Sequence, residues 1–310
     1  MNLKRIIGGP LLSVVFLVSF SYVISSVQWV FENYFSNEIF LGSISDSLQN
    51  FDNKNDMPQE TIESVRPVTN KPEINALSAV SINSNLQDGD KIVFDKDANL
   101  QLPIASLTKL MTAVIVLDNY NLSDTWQVSE AADSQDPLKQ DVKLGDVLTV
   151  ENFLDLMLIS SSNKSAYALS ELAGEHNFVG LMNQKAKEIG LENTFFDDPT
   201  GLSSQNVSNA KDLVKLAKYI LNNYPRISEI TKKKEFYVVG FGNIQNTNQL
   251  LGEVPNIVGG KTGFTADAKG CLILVMNDPE NSSDYLISVI LGADDRFLEM
   301  KKLITWSITQ

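Results

Sequence analysis

The sequence has a single cysteine, Cys271, and a single histidine, His176. A lone cysteine excludes an internal disulfide, and one histidine leaves no partners for a cysteine/histidine metal cluster. A structural zinc site is therefore not expected. Positive charge is also scarce: 25 lysines and arginines stand against 38 aspartates and glutamates, a formal net charge of -13. Nucleic-acid binding needs clustered cations that neutralise phosphates, so this balance argues against a nucleic-acid partner. Only four arginines occur, Arg5, Arg66, Arg226 and Arg296, and each one in a folded domain invites the question of what it binds. What is present is ordinary globular material, 43% apolar and 20% charged, which excludes a mainly disordered chain.

Lys4 and Arg5 precede Ile6 to Val30, which carries no charge and is rich in Val, Leu, Ile and Phe. At 1.5 Å per residue such a stretch spans a hydrocarbon core about 30 Å thick. Positive charge before it and acidic residues after it predict a cytoplasmic N-terminus, with everything later outside a single-pass membrane anchor. A cleaved signal peptide, giving a secreted or periplasmic protein, is the alternative. Signal cores usually run about 7–15 residues, shorter than this one, although Ser19 and Ser21 offer a weak small-x-small cleavage site. Residues 31–72 are rich in Asn, Ser, Asp and Glu, include Pro58, Pro67 and Pro72, and read as a tether. The predicted division is 1–30 anchor or signal peptide, 31–72 flexible tether and 73–310 one catalytic domain, a length that suits a single core.

Within that domain, Leu77–Ile82 and Lys91–Phe94 are predicted strands joined through Asp88-Gly89. Helical periodicity marks Ser106–Tyr120, Val150–Ala173, Phe178–Ile189 and Ala210–Asn222, with Leu213, Leu216, Ala217 and Ile220 on one face. Strands return at Phe236–Val239, Ile257–Phe264, Cys271–Met276 and Tyr285–Leu291, with a turn at Asn277-Asp278-Pro279. The last strands are apolar on both faces, so helices must cover both sides of their sheet, one of them Phe297–Thr305. An α/β/α sandwich with an inserted helical region is the predicted fold.

Three short motifs carry chemistry. Pro103-Ile-Ala-Ser106-Leu-Thr-Lys109 enters an apolar helix, where positions three apart share a face and set Lys109 beside Ser106. A lysine whose pKa is lowered by burial or by a nearby cation can activate a serine without histidine. Ser-x-x-Lys alone is weak, since Ser161-x-x-Lys164 and Ser208-x-x-Lys211 also satisfy it and many such pairs are helix caps with a surface lysine. Ile159-Ser-Ser161-Ser-Asn163 interrupts a helical pattern with groups that compete for backbone hydrogen bonds, which equally describes a helix-helix corner. Val258-Gly-Gly-Lys261-Thr262-Gly263-Phe264 lies in strand-like surroundings. A chance Lys-Thr-Gly is expected only about 0.05 times at this length and composition, and its glycines let a ligand approach the strand backbone. An edge strand with a bulge is the bland alternative.

Ser-x-x-Lys, Ser-x-Asn and Lys-Thr-Gly, in that order, are the signature set of penicillin-binding proteins and class A β-lactamases. From about Ala76 to Trp306 the chain resembles the D-alanyl-D-alanine carboxypeptidases, low-molecular-mass penicillin-binding serine peptidases. The likeness includes Ala105-Ser-Leu-Thr-Lys-Leu-Met-Thr-Ala, Asp198-Pro-Thr-Gly-Leu, Asn246-Thr-Asn and Gly259-Gly-Lys-Thr-Gly-Phe-Thr. The resemblance implies a β-lactamase/penicillin-binding-protein-like α/β sandwich, its sheet mainly antiparallel. It implies no cofactor, and as partners a peptidoglycan stem peptide ending in D-Ala-D-Ala, β-lactam antibiotics and the membrane. By the same resemblance Ser106 is the nucleophile, Lys109 its general base, Ser161 the proton relay to the leaving amine and Lys261 a second cation, the two lysines depressing one another's pKa. Asn163 holds the substrate amide, the backbone N–H groups of Ser106 and Phe264 form the oxyanion hole beside Gly263, and Thr262 and Arg296 take the terminal carboxylate.

The pattern departs from the family in places. Lys164 follows Asn163 where an acid is usual, and it either raises the positive charge at the site or points to solvent. Asp198 precedes Pro199 where Asn-Pro is frequent. A β-lactamase requires a glutamate in a Glu-x-x-Leu-Asn context that is missing here. Endopeptidase action on cross-links uses the same residues, and a non-catalytic muropeptide or β-lactam sensor is the alternative from another class. His176, between Glu175 and Asn177, reads as a surface residue rather than part of a triad.

Overall fold

In the computed structural model, which describes residues 70–85, 89–136, 141–278 and 284–310, the chain opens on a hairpin of β1 (Ser78–Asn85) and β2 (Gly89–Lys96). The two-residue β3 (Leu102–Pro103) then leads to a 3-10 turn, Ala105–Thr108, that feeds α1 (Lys109–Asn119). β4 (Thr125–Gln127) and the short α2 (Glu130–Asp133) follow, and β5 (Val147–Thr149) returns to pair with β4. Next come α3 (Val150–Ile159), α4 (Asn163–Glu171) and α5 (Glu175–Glu188). Thr149 and Ser162 cap the first two by accepting from the N–H groups of Asn152 and Ser165, the side-chain capping that makes serine and threonine stop one helix and start another.

β6 (Val207–Ser208) pairs with β3, and Asn209 caps the amphipathic α6 (Ala210–Asn223). Pro225 opens α7 (Pro225–Thr231), a position where its missing N–H costs nothing. The hairpin of β7 (Glu235–Val238) and β8 (Gly242–Gln245) precedes the long strands β9 (Ile257–Thr265), β10 (Lys269–Asn277) and β11 (Tyr285–Ala293). The last helix is α8 (Arg296–Ser307).

The main sheet runs β2-β1-β11-β10-β9, antiparallel at every neighbour. Alternation sorts its side chains by face. Cys271, Ile273 and Val275 of β10 enter the larger core with α1, α3 and α6, whereas Leu272, Leu274 and Met276 enter a smaller core with Met300, Leu303 and Ile304 of α8. The predicted α/β/α sandwich is therefore the observed one. β9 is an edge strand, and the Lys-Thr-Gly motif lies along it.

Local differences concern the site. The predicted helix from Ser106 begins as a 3-10 turn, so Ser106 precedes the α-helical ladder. The predicted helix Val150–Ala173 is broken at Ser160–Ser162, where the serine run competes with the helical hydrogen bonds. The predicted anchor and the tether as far as residue 69 lie outside the described residues, as do Asp88 and Pro279 of the two predicted turns. No described helix is long and apolar enough to cross a membrane.

Candidate active site

Ser106 sits in a crowded backbone turn. Ala105, just before it, takes φ +48°, a left-handed conformation that is costly for a residue with a side chain. Two glycines permit the crowding. A Cβ on Gly201, itself at φ +86°, would lie 2.1 Å from the Ala105 carbonyl oxygen, and one on Gly263 would lie 3.1 Å from the Ser106 nitrogen. The Asp198-Pro-Thr-Gly segment and β9 thus clamp the nucleophile's backbone from two sides.

Lys109 is fully buried, and its Nζ donates to three acceptors: Ser106 Oγ at 2.9 Å, Asn163 Oδ1 at 2.7 Å and the Thr200 carbonyl at 2.5 Å. Burial lowers its pKa from 10.5 to about 7, opposed by the negative charges of Asp198 and Asp141. The three contacts then acquire a chemical meaning. A neutral amine keeps two hydrogens, which suffice for Asn163 and Thr200, and its lone pair is left facing the serine hydroxyl.

Ser161 occupies the corner between α3 and α4 at φ +68°, again left-handed. Lys261 reaches across from β9 and donates to Ser161 Oγ at 2.8 Å and to the Thr262 carbonyl at 3.0 Å. Burial pushes the Lys261 pKa well down, and the charges of Lys109 and Arg296 push it further. Lys109 thus adds to desolvation in depressing Lys261, whereas burial is what lowers Lys109 itself, so the expected mutual depression holds in one direction. Strained serine backbone and two desolvated lysines in one place are the kind of cost that accumulates at functional sites.

A cavity of about 220 Å³ brings the predicted residues to one surface: Ser106, Ser161, Asn163, Thr262, Gly263, Phe264 and Arg296 all line it. The two lysines sit beneath, presented through Ser106 and Ser161. A larger hollow of about 650 Å³, between Asp141–Asn152 and Val239–Phe241, holds none of the predicted residues. Size alone does not locate the chemistry. Thr262 Oγ1 shares a 2.6 Å hydrogen bond with Thr247 Oγ1, so the Asn246-Thr-Asn segment adds a hydroxyl to the cavity.

Arg296 does not pair with its acidic neighbours. Lys269 takes Asp294, while Glu299 accepts from the Asn75 N–H and from Lys302. Among the described residues the guanidinium forms no ion pair, its buried Nε has no hydrogen-bond partner, and its Cζ lies 4.6 Å from the centre of the Phe297 ring. It lines the cavity beside Thr262 and Phe264.

The competing Ser-x-x-Lys pairs are engaged elsewhere. Ser208 bonds Thr194 Oγ1 at 2.7 Å, and Lys211 pairs with Asp95 at 3.3 Å. Lys164 neither charges the site nor points to solvent: it is buried, with its Nζ 2.6 Å from Asp133 Oδ1, and this bond draws the Asp133 carboxyl below its ordinary pKa. His176 is exposed. Among the described residues, no group of three histidine, cysteine or carboxylate side chains is arranged to hold a metal ion. Sequence reasoning missed the Thr200 carbonyl, the Thr247 hydroxyl and the charges of Asp141 and Asp198. The family-like segments around Asp198 and Asn246 were the available signal for three of these; Asp141 had none.

Residues 66–295 match the family model described as D-alanyl-D-alanine carboxypeptidase. The chain is 32% identical over 250 residues to D-alanyl-D-alanine carboxypeptidase DacF of Bacillus subtilis, a match covering 76% of this chain and 62% of that protein. Against the D-alanyl-D-alanine endopeptidase of Escherichia coli it is 34% identical over 266 residues, covering 80% and 83%. Penicillin-binding protein D2 of Listeria monocytogenes, solved in a cefotaxime-bound form, superposes with a TM-score of 0.69 at 27% identity, covering 77% of this chain and 99% of that one. The fold is that of the penicillin-binding proteins.

Proposed function

We propose that this chain, which belongs to the D-alanyl-D-alanine carboxypeptidase family, is a serine-type D-Ala-D-Ala carboxypeptidase that trims peptidoglycan stem peptides and is acylated by β-lactams. The observation that carries this reading is the donor count at Lys109, whose lone pair is directed to Ser106 when its other hydrogens are engaged by Asn163 and Thr200.

In the proposed reaction Lys109 takes the Ser106 proton as Oγ attacks the penultimate D-alanine carbonyl. Negative charge develops on the carbonyl oxygen, where the backbone N–H groups of Ser106 and Phe264 receive it. The C–N bond breaks as Ser161, hydrogen-bonded to Lys261, passes a proton to the departing amine. D-Alanine leaves and the acyl group stays on Ser106. Water, deprotonated by the same lysine system, then attacks the ester, and Ser106 regains its proton as the shortened peptide departs. Asn163 orients the substrate amide. Thr262 and Arg296 hold the terminal carboxylate that distinguishes a carboxypeptidase substrate. The domain is placed outside the cytoplasm, carried by the uncharged stretch 6–30 and the tether 31–72.

The similarity to an endopeptidase relative supports a second reading, cleavage of D-alanyl cross-links by the same residues. Mass-spectrometric analysis of products from a monomeric pentapeptide and from a cross-linked dimer distinguishes the two. Release of free D-alanine from the monomer at the higher kcat/KM supports the carboxypeptidase. Cleavage of the dimer with the monomer untouched would reject it.

A further inference from the structure

The surroundings of Asp198 are arranged to donate to a carboxylate. Its Oδ1 receives the Thr200 N–H at 2.5 Å, the Thr200 hydroxyl at 2.7 Å and the Gly201 N–H at 2.7 Å. Its Oδ2 receives the Ser203 N–H at 2.6 Å and Asn206 Nδ2 at 2.8 Å. Asn206 cannot turn its amide over to help an asparagine, because its Oδ1 is already held by the N–H groups of Asp197 and Asp198. Every group facing position 198 donates to it, and of these only the Thr200 hydroxyl could accept instead. An asparagine would set its own NH2 against the Ser203 N–H and the Asn206 NH2, or else against the Thr200 and Gly201 donors.

The loop so fixed touches the reaction at two points. The Thr200 carbonyl accepts from Lys109 Nζ, and Gly201 packs on the strained Ala105 carbonyl beside Ser106. The preceding Pro199 carbonyl accepts from Thr112 Oγ1 at 2.6 Å, tying the same loop to α1. We propose that Asp198 is a positioning residue of this site: its carboxylate fixes the 198–206 loop on both Lys109 and the Ser106 backbone, and so holds a negative charge near the general base.

The charges around Lys109 make the second half testable. Asp198 comes from this loop, Asp141 from the segment before β5 and Lys261 from β9, with Arg296 behind Lys261. Asp198 is the stronger of the two acids in holding Lys109 protonated against its burial. Removing that charge moves the lysine further toward the free base, a weaker base that is available at lower pH.

The inference rests on the role proposed for Lys109. Its test is the acylation rate of the full chain by a fluorescent penicillin, followed between about pH 5 and pH 9. Asp198→Asn is expected to move the acid limb down by about one pH unit and to lower the plateau about tenfold. Asn206→Ala, which loosens the loop but keeps the charge, is expected to lower the plateau and leave the limb in place. An Asp198→Asn profile that overlies the wild type, or that falls equally at every pH, overturns the inference. Should Asp198→Asn fail to fold by circular dichroism, Asn206→Ala decides: a lowered plateau with an unmoved limb supports positioning, and a wild-type rate rejects it. If the wild type itself shows no Ser106-dependent labelling, the reading of the site fails instead, which separates the two failures.

Discussion

Arg296 offers a quantitative test of substrate recognition. It is the first residue of α8, directly after the Asp295 cap that accepts from the Phe297 and Leu298 N–H groups. A cation there opposes the helix dipole, a cost of about 0.3–1 kcal/mol. Its Nε is buried without a partner, and burial lowers the guanidinium pKa, with Asp295 only partly restoring it. Apart from its stacking on Phe297 these features cost stability, which accords with the proposed role of Arg296 in binding the terminal carboxylate. A planar fork suits a carboxylate bidentately, and losing a hydrogen bond to a charged group costs roughly 1.5–3 kcal/mol. Arg296→Ala is therefore expected to lower kcat/KM on a free-acid peptide about 10- to 150-fold. The thermal midpoint should move by no more than a few degrees, since a lost side-chain stem is offset by a relieved dipole. Arg296→Lys, a point charge without the fork, should fall between. The decisive comparison is a peptide with its terminal carboxylate amidated, on which wild type and Arg296→Ala should be equally poor. An unchanged ratio between free-acid and amidated peptides in the mutant refutes the assignment.

Two further perturbations address the scaffold. Asp155 on α3 is buried, its Oδ1 has no partner, and burial raises its pKa from 3.8 to about 6 against the opposing charges of Lys233 and Arg226. The folded state then binds a proton that the unfolded chain has released, so stability falls as pH rises from about 4 through about 6, and Asp155→Asn should remove that slope and raise stability at pH 7 by about 1–2 kcal/mol. Thermal melts across this pH range check it, a less stable mutant at neutral pH being the contrary result. At the Lys164–Asp133 pair, Lys164→Met should lower stability while leaving the acylation pH profile in place, because the ammonium faces Asp133 rather than Lys109. The exchange Lys164→Asp with Asp133→Lys should recover much of the loss, and a displaced acid limb would show that Lys164 acts on the site after all.

The sheet was legible because β10 and β11 are apolar on both faces, a pattern that a covered sheet satisfies. β9, β10, β11 and α8 lie where the apolar runs placed them, to within two residues at each end. The short pairs β3–β6 and β4–β5 were missed, since two or three residues carry no periodicity and their pairing is tertiary. The catalytic motifs could be read as spacing, and a serine and lysine three apart do meet at 2.9 Å. Their backbone could not: the 3-10 turn at Ser106 and the left-handed Ala105 are permitted by Gly201 and Gly263 from elsewhere in the chain, and the left-handed Ser161 depends on how α3 turns into α4. Lys164 shows the same limit. Its partner lies 31 residues earlier, and no local pattern announces it. Asp198 could be seen as a departure from relatives, but its meaning depends on the orientation of Asn206, which only the hydrogen-bond network defines.

In the proposed reaction Ser106, activated by Lys109, forms the acyl-enzyme. Protein labelled with penicillin, digested and sequenced by tandem mass spectrometry, tests it most directly. The adduct is expected on Ser106, and it should vanish in Ser106→Ala while persisting in Ser208→Ala and, more slowly formed, in Ser161→Ala. An adduct on a peptide that lacks Ser106, or undiminished labelling of Ser106→Ala, would contradict the account.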